Sequence, residues 1–227
     1  MNRARFLYPL PVLMAGILSE YTNLDLFLER RFYDASRNLW PYKSYWLTSD
    51  LLHTEGKDFV VAIAGMILVV FILSFFIKGL FRYRKSSAYL LIASLSGPFL
   101  VALGKHYTHI YTPWDLSIFG GTQPYIRIFD MVPVGAKVGH AFPAGHSSGG
   151  FAFFSLYFLA LEYKPALRYY GLCFALLIGF TFGITQQVRG AHFLSHDFFS
   201  LVVCWYSAFM TYLIFYCFKL FPDFHSI

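Results

Sequence analysis

Apolar runs of membrane length alternate along this chain with short polar stretches, and the alternation predicts helices before any chemistry is considered. Phe59 to Phe81 carries no charge ahead of Lys78, Ala88 to Gly104 is apolar up to Lys105, and Tyr170 to Thr185 is uninterrupted. Phe198 to Leu220 exceeds the roughly 20 residues that a spanning helix needs. Gly149 to Leu161 lengthens when its polar start at His146 is included. Phe6 to Ser19 is short, holds Pro9 and Pro11, and runs into Glu20. Arg3 and Arg5 ahead of it also suit a signal peptide, but without a small-x-small cleavage site the segment reads as an uncleaved anchor. The pattern predicts an all-α integral membrane protein, a six-transmembrane-helix bundle forming one domain over residues 1–227 with no internal repeat.

Orientation follows from the loops, because Lys and Arg concentrate on the cytoplasmic side. Lys78, Arg82, Arg84 and Lys85 share one short loop, Lys164 and Arg168 another, and Arg3, Arg5 and Lys219 flank the ends. A six-span arrangement puts all of them on one side. The opposite, periplasmic side receives the segment Glu20 to Asp58, the loop Lys105 to His146, and the turn around Arg189 and His192. The first of these is long for a connector and carries Arg30, Arg31, Phe32, Tyr33, Trp40, Trp46 and His53, which predicts an interfacial helix in contact with lipid.

Composition agrees. The chain is 57% hydrophobic and 13% charged with a mean hydropathy of +0.53, whereas a soluble domain carries about 25% charged residues. Its 27 Phe and 17 Tyr suit lipid-facing helix surfaces and interfacial aromatic belts. A net charge of +6 without a basic run argues against nucleic acid as a partner. Cys173, Cys204 and Cys217 all lie in apolar runs and read as small hydrophobes. No feature selects an oligomeric state.

Three polar clusters interrupt this background, each at the end of an apolar run: Lys105 ahead of Thr112, Pro113, Trp114 and Asp115; then Pro143, Ala144, Gly145 and His146; then Arg189 to His192, leading to Ser195, His196 and Asp197. Lysine and arginine offer a point charge and a bidentate fork to phosphate, and histidine is a nucleophile through its neutral ring nitrogen. Any one of these residues alone reads as an interfacial or packing residue. Together, in alternate loops on one face, they point to a site for phosphate.

The clusters resemble the type 2 phosphatidic acid phosphatase superfamily of integral membrane phosphatases, whose pattern is Lys, six residues, Arg-Pro; then Pro-Ser-Gly-His; then Ser-Arg, five residues, His, three residues, Asp. The resemblance covers Lys105 to about Ser200. Thr112 stands where the family has arginine, Ala144 replaces the serine, Gln186 occupies the later arginine position with Arg189 three residues on, and His196 occupies the aspartate position with Asp197 just beyond. The wording Gln187 to His196, with Pro113 to Leu116, is similar to a bacterial branch of the superfamily.

The resemblance implies that His192 attacks phosphorus to form a phosphohistidine, oriented by His196 or Asp197, and that His146 protonates the leaving oxygen and then activates water. Spacing favours His196 as the partner and acceptor chemistry favours Asp197. Lys105, Arg189, Gly145 and Ser147 would bind phosphate, while Thr112, Trp114 and Asp115 would shape the headgroup pocket. No metal or cofactor is implied, since side-chain cations supply the electrostatics, and His106, His109 and His140 lack a ligand spacing. The expected protein is therefore a metal-independent lipid phosphatase of the bacterial inner membrane, with its active site at the periplasmic end. Its expected partners are membrane lipids and a phosphorylated lipid substrate: a polyprenyl diphosphate, lipid A or a glycerophospholipid. Lipid-to-lipid phosphotransfer is the nearest alternative, and a phospholipid-binding or transport protein with a decayed site is one of another class. Vanadate-dependent peroxidase chemistry belongs to soluble relatives, and the apolar spans argue against it.

Overall fold

The computed structural model describes residues 4–218; Arg3, Lys219 and Leu220, used above for orientation and for the last span, lie outside the described residues. The fold is all-helical, with no strand among those residues.

The expected first span forms two helices, α1 (Ala4–Leu7) and α2 (Leu10–Tyr21), because Pro9 and Pro11 lack the N–H groups a continuous helix would need there. A short helix, α3 (Leu24–Glu29), follows. The stretch expected as an interfacial loop ends in a π-helix, Leu47–Glu55, that runs directly into α4 (Gly56–Leu73), giving one helical rod of 27 residues. The rod stops at Leu73 rather than Phe81. Ser74 Oγ donates to the Phe71 carbonyl (2.6 Å) and Arg84 Nη2 donates to the Ser74 carbonyl (2.6 Å), so side chains take carbonyls that a further turn would use. A 3₁₀ stretch, Lys78–Tyr83, then leads into α5 (Arg84–Gly104).

After a long loop the chain forms α6 (Gly145–Phe151) and α7 (Phe154–Tyr163), then α8 (Arg168–Val188) and α9 (Leu194–Tyr212), which continues as a π-helix over Leu213–Cys217. Between α6 and α7 the ladder tightens to i−3 bonds, with Phe153 N–H on the Gly150 carbonyl (3.2 Å) and Leu156 N–H on the Phe153 carbonyl (2.9 Å). Here α6 presses against α8 at Gly150, where an added methyl group would lie 2.4 Å from the Gly179 backbone nitrogen.

Four helical segments are long and apolar enough to cross a bilayer: Leu47–Leu73, Lys78–Gly104, Pro165–Val188 and Leu194–Cys217. The expected crossings at Phe6 to Ser19 and Gly149 to Leu161 form shorter helices, because apolar length in the sequence does not register proline breaks or a tightened ladder.

Helix α9 lies at the centre. It packs against α2, α5, α6, α7 and α8, and 56% of its most apolar window is buried, against none of the window in Leu47–Leu73. Its Trp205 is surrounded by Phe154, Tyr157 and Phe158 with ring centroids 5.0–5.3 Å away. Ser207 donates to Ser96 Oγ (2.6 Å), a polar tie between α9 and α5 within the apolar bundle. With α9 held on every side, the residues at its N-terminus have fixed positions.

Candidate active site

The three polar clusters meet through hydrogen bonds around that N-terminus. Trp114 N–H donates to the Gly190 carbonyl (3.0 Å), joining the first cluster to the third. Ala144 N–H donates to the His196 carbonyl (3.3 Å) and Ser200 Oγ to the Ala144 carbonyl (2.8 Å), joining the second to the third. The loop after α5 folds back on itself, with Gly139 and Ala141 N–H groups on the Thr108 and Ile110 carbonyls (both 3.1 Å). Gly190 turns the chain at φ +76°, a conformation that disfavours side chains, and a methyl group there would also strike the Trp40 ring.

His192 and His196 face each other with their Nδ1 atoms 3.4 Å apart, both buried. Burial, followed by the charges of Lys105, His196 and His146, holds the His192 imidazole well below the usual histidine range. It is therefore neutral at physiological pH, the form that carries a nucleophilic lone pair. Asp197 points away from this pair into the α8 side, where Gln187 Nε2 donates to its Oδ2 (2.7 Å). Ser147 is equally buried, with its hydroxyl on the Ala144 carbonyl (3.3 Å).

Lys105 leaves the end of α5 and lies against Gly145, where an added methyl group would sit 3.2 Å from Nζ. Burial lowers its pKa. Lys105, Gly145, His146 and Ser148 line one part of a cavity of about 470 Å³ between α4, α5 and α6, whose remaining wall is largely apolar, including Val60, Ile63, Leu95 and Pro98. Of the two serines after His146, Ser148 is the one on this cavity; its Oγ donates to the Gly145 carbonyl (2.6 Å). Arg189 follows the last turn of α8, donating from Nε to the Lys43 carbonyl (3.0 Å) and from Nη1 to Gln186 Oε1 (3.2 Å).

The residues expected to shape a headgroup pocket stand apart from the cavity. Thr112 donates to the Asp115 carboxylate, closing its own turn, and the Trp114 ring carries the Lys43 ammonium 4.1 Å from its centroid. Among the described residues no group of three His, Cys, Asp or Glu side chains is arranged to hold a metal, and His106 and His140 meet only edge to face.

Several residues of the site were not identified from sequence. His53 stacks on His146, with centroids 4.0 Å apart and planes at 29°, and Lys57 lines the same cavity. Asp25 of α3 accepts from Ser19 Oγ (2.6 Å) and from the backbone N–H of Ser195 (3.1 Å), so it caps α9 between the two histidines. Glu29 is buried beside it, and burial holds both carboxyls above their usual range. The only advance signal was the interval of four between His53 and Lys57, which places them on one helical face.

The PAP2 superfamily model matches residues 59–219, which include all three polar clusters. No curated protein and no solved structure matches the chain.

Proposed function

The chain belongs to the PAP2 superfamily, whose members are phosphatases, and from that premise we propose that it removes a phosphate from a lipid phosphate or diphosphate through a phosphohistidine intermediate. The observation that carries this reading is the neutral, buried His192 paired through Nδ1 with His196, in a site that also contains Lys105 and His146 on an apolar cavity. If Nδ1–H of His192 donates to His196, Nε2 is the nitrogen that attacks phosphorus. Lys105 and Arg189 offset the phosphoryl charge, and His146 serves the leaving oxygen and then the water that releases phosphate. The apolar cavity wall suits a lipid tail.

In this proposal α1 with α2, and α6 with α7, complete six crossings together with the four long helices. The site then lies at the periplasmic edge of a bacterial inner membrane, where an amphiphile presents its headgroup while its tail stays in lipid. Polyprenyl diphosphates, lipid A and glycerophospholipids all have that form.

Phosphate release from purified lipid phosphates, comparing the intact protein with His192→Ala, tests the proposal. The wild-type protein should turn over at least one lipid and, when labelled with radioactive substrate, carry an acid-labile, base-stable phosphoryl adduct. Both should vanish in His192→Ala. A labelled adduct that persists on His192→Ala would show that another residue is the nucleophile.

A further inference from the structure

His53 and Lys57 precede the region matched by the family model, yet the rod from Leu47 to Leu73 delivers both to the phosphate site. His53 arrives on a π-helical turn, a geometry that recurs at functional sites, and its ring lies flat against His146. Lys57, one turn further on, shares the cavity with Lys105 and His146. The charges of Lys105, Arg189 and Lys57 all bear on His146. Among the described residues, no carboxylate lies within ion-pair distance of any of these three cations. The one carboxylate among those residues whose charge bears on any of them is Asp50, which acts on Arg189.

With Lys105 and Arg189 assigned above to the transferred phosphoryl group, Lys57 is a further cation on the cavity, with no carboxylate in ion-pair distance among the described residues. Resting on the phosphatase reading above, we propose that Lys57, beside the stacked His53 and His146 rings, binds the second phosphate of a lipid diphosphate, and that this is the preferred substrate class. His192 Nε2 attacks the terminal phosphorus, the bond from that phosphorus to the bridging oxygen breaks, and the lipid monophosphate departs with the electron pair, its charge facing Lys57. Water then attacks the phosphorus of the phosphohistidine, its proton passes to His146, the P–Nε2 bond breaks with its electron pair returning to the His192 imidazole, and inorganic phosphate leaves. A monoester phosphate departs as an anion without being protonated, whereas an alkoxide needs a proton. With a diphosphate substrate His146 is therefore needed only for the proton of the attacking water.

The test uses the full chain in detergent micelles with farnesyl diphosphate and farnesyl monophosphate, which share a tail and differ by one phosphate. The wild-type ratio of kcat/KM values should favour the diphosphate by about tenfold or more, the worth of one charged hydrogen bond. Lys57→Met should collapse that ratio by about the same factor, mainly through KM for the diphosphate, and Lys57→Arg should restore it. Elution of each variant at the wild-type position in size-exclusion chromatography shows that it has folded. A ratio near one for the wild type, or an unchanged ratio in folded Lys57→Met, would overturn the proposal. Hydrolysis of dioleoyl phosphatidate but of neither farnesyl substrate would also overturn it while leaving the phosphatase reading intact. Absence of turnover by the wild-type protein on all three lipids would remove the phosphatase reading itself.

Discussion

His196 and Asp197 are adjacent in sequence and serve opposite sides of α9. Four residues from His192, His196 returns to the same face, whereas Asp197 rotates toward Gln187. The geometry thus sides with spacing over acceptor chemistry. If His192 is the nucleophile, as proposed, replacing His196 by alanine removes the side chain that faces it, and kcat should fall by about 10²–10⁴-fold, the range typical of lost proton-handling partners. Asp197→Asn keeps an oxygen for Gln187 and should lose less. Steady-state kinetics on both variants decides this; the reverse order of severity would make Asp197 the partner. A second prediction rests on Glu20, which burial, assisted by Asp25 and Asp130 and opposed by the Ile128 N–H and Arg127, pushes from its ordinary 4.5 to about 7. The folded protein then holds this proton where the unfolded chain has released it. Stability from this group is present below pH 4.5 and is lost as pH rises through about 7. Melting temperature in detergent should fall across that window, and Glu20→Gln should flatten the fall. An identical slope in the variant would refute the assignment.

At the scale of elements, the N-terminus of α9 is the part on which the site depends, and its cap comes from 170 positions away in the chain. Removing the acceptor with Asp25→Ala strands a buried N–H and should cost about 1–3 kcal/mol, with a loss of kcat because the same turn carries His196. Asp25→Asn retains an acceptor oxygen and should cost less. Thermal unfolding monitored alongside turnover checks both, and a stable, fully active Asp25→Ala would mean that the cap is dispensable. Helix existence was legible in the apolar runs, since each helix buries or immerses a face that must be apolar throughout. Helix ends were less so. The rod that stops at Leu73 does so through Ser74 and Arg84, and the tightening between α6 and α7 sits beside the Gly150–Gly179 contact, both of which are specific packing details rather than features of the hydropathy pattern.

For the whole molecule, the basic segment Lys78 to Lys85 and the loop Lys105 to His146 lie at opposite ends of α5, which predicts opposite sides of the membrane. Single cysteine reporters at Ser86 and Thr122, in a background lacking Cys173, Cys204 and Cys217, should differ in intact cells: an impermeant reagent should label Thr122→Cys and not Ser86→Cys. Labelling of both would sink the six-span orientation. The sequence by itself determined the membrane class, the helical content, the family and the three clusters that converge, because local apolar periodicity and short motifs report local constraints. Only the tertiary structure decided that His196 rather than Asp197 faces His192, that Asp25 caps α9, and that His53 and Lys57 lie beside His146 and Lys105. Those relations join residues far apart in the chain or on different faces of one helix, and the packing of α3, α4 and α8 around α9 sets the distances between them.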